Sequence, residues 1–179
     1  MRRQAVSLLV FLLFTGALVF ALGLLDRLPS MFQPGGVRRY ASIAQAQSDL
    51  GIRRIYVPAY FPKTLTWPPS RILAQSKPFE AVVLEFRRVD STEVGLVITQ
   101  TSSRRLPQEP AIHLKRIRQT TSVNLKGRQS LVESGSCDDG ERCSQITFVE
   151  GDLWMTVQMR SSPAELLLLA GSMVGVRTQ

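Results

Sequence analysis

Residues 5–25, AVSLLVFLLFTGALVFALGLL, contain no charged side chain, and few folds admit such a run. As an α-helix it extends about 31 Å, the thickness of a bilayer's hydrocarbon core. Its only side chains with a hydroxyl are Ser7 and Thr15, so no face of it suits the wet surface of a globular domain. Met1-Arg2-Arg3-Gln4 precedes it, with two arginines and no acid. That flank holds the N-terminus in the cytoplasm and sends the chain after Asp26 across the membrane. The competing reading is a cleavable signal peptide, with Ala21-Leu22-Gly23 as its small-residue site. Signal cores usually run to about 7–15 apolar residues, and this one is longer; nor does a cysteine follow closely enough for lipoprotein anchoring. The expected division is a cytoplasmic stub at 1–4, a transmembrane signal-anchor at 5–25, a tether at 26–41 and an extracytoplasmic domain at 42–176.

Of the 22 basic and 14 acidic residues, only Arg2 and Arg3 precede Asp26, so the outer part carries about +6, which favours anionic surroundings. The cations are scattered and no nucleic-acid module is visible, so nucleic acid is not an expected partner. Cys137 and Cys143 are the only cysteines. In an oxidising compartment such a pair is expected to join.

Asp26 to Arg39 reads as a tether, because Pro29, Pro34, Gly35 and Gly36 interrupt regular structure. Ser42-Ile43-Ala44-Gln45 fits a capping box that opens a short helix. Ile43, Ala46 and Leu50 share a face of it, and Gly51 stands where a left-handed stop is wanted. Ile55-Tyr56-Val57-Pro58 is extended and belongs at an edge, since proline cannot donate to a ladder. The aromatic residues from Tyr60 to Trp67 are expected to cover one side of the core. From Phe79 the period becomes two: Val82, Leu84 and Phe86 alternate with Ala81 and Val83, as in a central strand covered on both faces. Val94, Leu96 and Ile98 alternate in the returning strand. Ser102 to Pro110 is a polar loop, Ile112 to Arg118 fits no single template, and strands are expected on either side of Gly127. Gly151-Asp152 is a hairpin turn signal. Folding there pairs Ile146 with Val157 and Phe148 with Met155 on one face, and Val149 with Trp154 on the other; a one-residue slip would scatter them. Ser162-Pro163-Ala164-Glu165 then opens a C-terminal helix. Its four leucines, Leu166 to Leu169, continue through Met173 and Val174 as an apolar surface lying across the sheet. Leu167 and Leu168 are expected to be buried together. The fold class is therefore α+β: a mainly antiparallel curved sheet, a short N-terminal helix and a C-terminal helix packed on the sheet.

This order of signals resembles the DUF4367 type of extracytoplasmic domain. The resemblance runs from Ser42 to Val174 and is carried by Tyr56-Val57-Pro58-Ala59-Tyr60-Phe61-Pro62, Leu153-Trp154, Glu165-Leu166 and Ala170-Gly171-Ser172-Met173. These are markers of fold, not of chemistry. The resemblance implies the outer half of a membrane regulator of the anti-sigma-factor kind, with a fold like that of lipoprotein carriers, in the bacterial inner (cytoplasmic) membrane. Four cytoplasmic residues cannot capture a sigma factor, so a signalling role needs a separate membrane partner.

No G-x-S-x-G, H-E-x-x-H or P-loop occurs, and no catalytic residue, metal ligand or cofactor is nominated. Asp138, Asp139 and Glu141 lack the ligand alternation of an EF-hand. Cys137 and Cys143 are spaced as a staple rather than as a Cys-x-x-Cys redox pair. His113, the only histidine, sits among Lys115, Arg116 and Arg118, as a surface residue would. Arg104, Arg105, Lys115, Arg116, Arg118, Lys126 and Arg128 form a basic middle, either a solvated face or a contact for anionic head groups. The expected function is a non-catalytic interaction or regulatory domain that binds another envelope protein. The alternative is a carrier or sensor of a hydrophobic ligand, such as lipid, held between the sheet and the C-terminal helix. A continuous apolar cavity favours the carrier; a filled core with an exposed apolar patch favours the interaction domain.

Overall fold

The alternating segments assemble into one large antiparallel sheet. The structure, a computed structural model, describes residues 36–177. The expected membrane segment 5–25, the stub before it and the first part of the tether lie outside the described residues. Among the described residues no helix is long and apolar enough to cross a membrane. The elements run β1 (Arg38–Tyr40), α1 (Ile43–Leu50), β2 (Arg54–Pro58), β3 (Arg71–Gln75), β4 (Ala81–Arg87), β5 (Val94–Thr101), β6 (Leu114–Leu125), β7 (Arg128–Cys137), β8 (Arg142–Glu150), β9 (Leu153–Met159), α2 (Pro163–Gly171) and β10 (Met173–Arg177). Eight strands form the sheet in the order β1-β3-β4-β5-β9-β8-β7-β6, and β10 pairs with β2 in a separate ribbon.

The central hairpins follow the residue pattern. Val82, Leu84 and Phe86 are buried on one face of β4, and Val83 on the other. Glu150 pairs with Leu153, Phe148 with Met155 and Ile146 with Val157 around the Gly151 turn. Ile146, Phe148, Met155 and Val157 join the main core, where both helices also pack. The register irregularity between Phe86 and Arg87 corrects the expectation for Val94. It pairs with Arg87, whereas Leu96 pairs with Phe86. Val94 thus turns to the opposite face from Leu96 and packs with Val83 and Val97, as a bulge dictates.

Helix α1 is capped much as its sequence requires. Ser42 Oγ accepts from the Gln45 N–H at 3.1 Å, and Gly51 adopts φ 68° at the C-terminus. The Gln45 side-chain carbonyl accepts from the Ala41 N–H at 3.1 Å, one residue before the cap. Helix α2 departs from expectation at both ends. Ser162 Oγ makes no cap bond, although Pro163 does occupy the first turn. Met173 and Val174 are not helical: they begin β10, which lies antiparallel to β2, with Met173 opposite Pro58 and Val174 opposite Val57. Nor are the leucines alike. Leu166 and Leu169 are fully buried, Leu167 is half-buried and Leu168 is 63% exposed, because two consecutive residues on a helix point about 100° apart. The tether also ends sooner than expected, since residues 38–40 pair with β3.

Two buried glutamines join the layers. The Gln100 side chain accepts from the Tyr56 N–H and donates to the Tyr56 carbonyl, both at 2.7 Å, fastening the β2–β10 ribbon over the sheet. Gln47 Nε2 donates to the Val176 carbonyl at 3.0 Å and ties α1 to the same ribbon. Phe61, Trp67 and Phe86 pack with ring centroids 5.1–5.8 Å apart, so the proline-rich aromatic stretch does cover one part of the core.

Candidate interaction site

The large sheet ends on β6, a strand of twelve residues, whereas the opposite edge, β1, has three. Long edges are usually blunted by charge, proline or bulges, and the first part of β6 has two of these. Lys115, Arg116 and Arg118 lie there, and its pairing with β7 slips between Leu114 and Arg116 and again between Ile117 and Gln119. Gly135 on β7 lets the strands approach at this point. A Cβ on it would lie 1.7 Å from the Arg116 carbonyl oxygen. From Gln119 to Leu125 the edge has no such protection. The segment Gln-Thr-Thr-Ser-Val-Asn-Leu has no charge, proline or glycine, and its ladder with β7 is regular.

Beside this segment runs α2. Gln119, Thr121 and Val123 line a space of about 160 Å3 with Val132, Ser134, Pro163 and Leu167. A second open space of about 390 Å3, further along the helix, is bounded by Leu125, Lys126, Leu167, Leu168 and Gly171. Beneath the helix there is close packing instead. Leu166, Leu169 and Ala170 share one core with Ile146, Phe148, Met155 and Val157. The open volume therefore flanks α2 on its β6 side.

Cys137 and Cys143 form a disulfide, with Cα atoms 5.5 Å apart. They do not face each other directly: the Cys137 N–H donates to the Glu141 carbonyl, while Cys143 pairs with Gly135. Both are buried on the sheet face away from the helices, beside Leu73, Val83, Val97 and Ile112. The acidic turn they close is held by cations. Asp139 pairs with Arg160, Glu141 with Arg88 at 3.1 Å, and Asp138 with Lys115 at 3.4 Å. The Glu141 N–H and then Arg160 hold the Asp139 carboxyl below its usual range. Among the described residues no three His, Cys, Asp or Glu side chains are grouped to hold a metal ion.

The seven basic residues of the middle are not brought together. Arg104 and Arg105 belong to the loop before β6, and the Arg104 guanidinium lies 4.5 Å from the centre of the Trp154 ring. Lys115, Arg116 and Arg118 occupy one end of β6. Lys126 and Arg128 lie about the Gly127 turn beyond its other end, with Lys126 roughly 26 Å from Arg118 along the strand. Arg128 is paired with Glu150 and covers the Phe148 ring. Lys115, Arg116 and Arg118 on one side and Lys126 and Arg128 on the other thus bracket the uncharged part of β6, with Arg104 and Arg105 apart from both. His113 is partly exposed and contacts Glu109 at 3.2 Å.

A polar pocket of about 350 Å3 opens where the β8–β9 turn meets the start of β2, lined by Arg53, Arg54, Tyr56, Glu80, Glu150 and Asp152. Burial, and secondarily the charge of Asp152, raise the pKa of Glu80. Its acids and arginines are of mixed sign, with no nucleophile and base in contact.

Sequence reasoning missed the edge, because it depends on strand order; a space between the sheet and the C-terminal helix was expected, and the groove lies there, at the β6 border. The one local signal was the uncharged run from Gln119 to Leu125. Comparison with known families, curated proteins and solved structures finds no match to the chain.

Proposed function

We propose that the chain is a membrane-anchored extracytoplasmic interaction domain, without catalysis, that binds another envelope protein. Residues 5–25 serve as the anchor in the bacterial inner membrane, and the outer domain is of the DUF4367 type suggested by its sequence markers. The observation that carries the reading is the exposed apolar strip along α2, where Leu168 stands open beside Leu125 and Leu167 while the helix–sheet interface beneath is filled. An apolar strip next to a closed core is what a protein contact uses. A carrier of hydrophobic ligand needs its volume beneath the helix, where Leu166, Leu169 and Ala170 already sit.

Crosslinking in native membranes, followed by identification of the adducts, tests this reading. One envelope protein recovered in stoichiometric amount is the expected result. Recovery of phospholipid bound within the outer domain, with no protein adduct, replaces it with the carrier reading.

A further inference from the structure

The geometry points to β6 as a site of strand addition: an extended segment of a protein partner, with an uncharged core of about seven residues and acidic residues at both ends, pairs with residues 119–125. This rests on the interaction reading above and specifies the surface and the chemistry of the partner.

Three observations lead there. First, residues 119–125 form a regular edge with none of the devices that discourage pairing. An added strand there gains main-chain hydrogen bonds irrespective of its sequence. Second, Gln119, Thr121, Val123 and Leu125 alternate onto the helix side of the sheet, and Leu167 and Pro163 face them across the groove. Every second side chain of the added strand falls beside that groove, which sets an apolar preference at alternate positions. Third, the uncharged segment is bracketed by Arg116 and Arg118 on one side and Lys126 on the other. Among the described residues none of these three has an ion-pair partner.

The charges decide between a second copy and a different protein. Antiparallel pairing of two copies about Ser122 would set Arg118 of each copy beside Lys126 of the other, at the end of β6. Parallel pairing in register would set each cation against itself. Like charges on facing positions oppose pairing. A strand with acidic ends turns the same three side chains into attractive contacts.

The test uses the full chain in uncharged detergent micelles and two synthetic peptides. Each has seven alternating valines and threonines, flanked in one by paired glutamates and in the other by paired lysines. The expected result is slowed amide hydrogen exchange across residues 119–125 with the glutamate peptide, and binding about tenfold tighter than that of the lysine peptide. Arg116→Glu/Arg118→Glu, at two exposed positions, is expected to remove or reverse that preference while leaving the exchange of β4 and β5 unchanged. Equal affinity for the two peptides, or slowed exchange confined to another element, overturns the proposal. So does concentration-dependent dimerisation that protects residues 119–125 without peptide, which assigns the edge to a second copy. Capture of an envelope protein through another face, with β6 unprotected, overturns this site and leaves the interaction reading standing.

Discussion

Substituting alanine for individual leucines of α2 separates the helix's packed side from its exposed side. Leu166 has no exposed surface, and it packs in the core with Ile146, Phe148 and Met155. Leu166→Ala removes three buried carbons, worth about 2.4 kcal/mol at ~0.8 kcal/mol each. The cavity left behind brings the cost to about 3–5 kcal/mol. Leu168 is 63% exposed, so Leu168→Ala forfeits only about a third of the transfer term, or ~0.9 kcal/mol. Alanine's better helix propensity offsets part of that, leaving a net change of about 0.5 kcal/mol. Urea denaturation of the full chain in micelles, followed by tryptophan fluorescence, reads the difference. With a slope of about 2 kcal/mol per molar, Leu166→Ala lowers the midpoint by ~1.5 M or more, and Leu168→Ala by ~0.3 M or less. Leu168→Asp is likewise expected to fold. Equal shifts for Leu166→Ala and Leu168→Ala, or a larger one for Leu168→Ala, would refute the assignment of faces and with it the exposed strip.

Cys137→Ala/Cys143→Ala is expected to retain the fold and lose about 2 kcal/mol by loop entropy, since the ion pairs of Asp139 and Glu141 still order the turn. Thiol titration of the parent protein should find no free thiol before reduction and two afterwards. Gly135→Ala drives a methyl group into the Arg116 carbonyl, at a cost of about 3 kcal/mol or more, and exchange should speed up in β6 before it does in β4. Glu80→Gln should raise the melting temperature at pH 7 and leave it unchanged at pH 3. The raised carboxyl pKa means that the folded state holds the proton more tightly than the unfolded one. Stability therefore falls as pH rises through the carboxylate range, and the neutral amide escapes that loss.

Local patterns that persist over a hairpin were legible in the sequence. Ile146, Phe148, Met155 and Val157 alternate on both sides of Gly151-Asp152, and register, turn and burial all agree there. The cap at Ser42 and the stop at Gly51 were equally readable, because each depends on a few adjacent residues. Short elements were not. β3, Arg71–Gln75, is a brief apolar run between prolines, and only its ladders with β1 and β4 make it a strand. Met173 and Val174 follow a helix with no break stronger than Gly171-Ser172, and their pairing with Val57 and Pro58 is a tertiary choice. The Gln100 clamp sat in plain view after Leu96 and Ile98, a polar residue on a core-facing position, but its partner lies 44 residues away in sequence. The candidate site was the least legible part, since an edge strand is defined by what does not pair with it.

On the proposed function, the β6–α2 side of the outer domain meets another protein. Photoreactive residues placed singly at Thr121, at Leu168 and, as a control, at exposed Asp49 on α1 test it in native membranes. One protein adduct is expected, shared by Thr121 and Leu168, absent at Asp49 and suppressed by the glutamate-flanked peptide. Identical products at all three positions, or lipid adducts alone at Thr121 and Leu168, would contradict it.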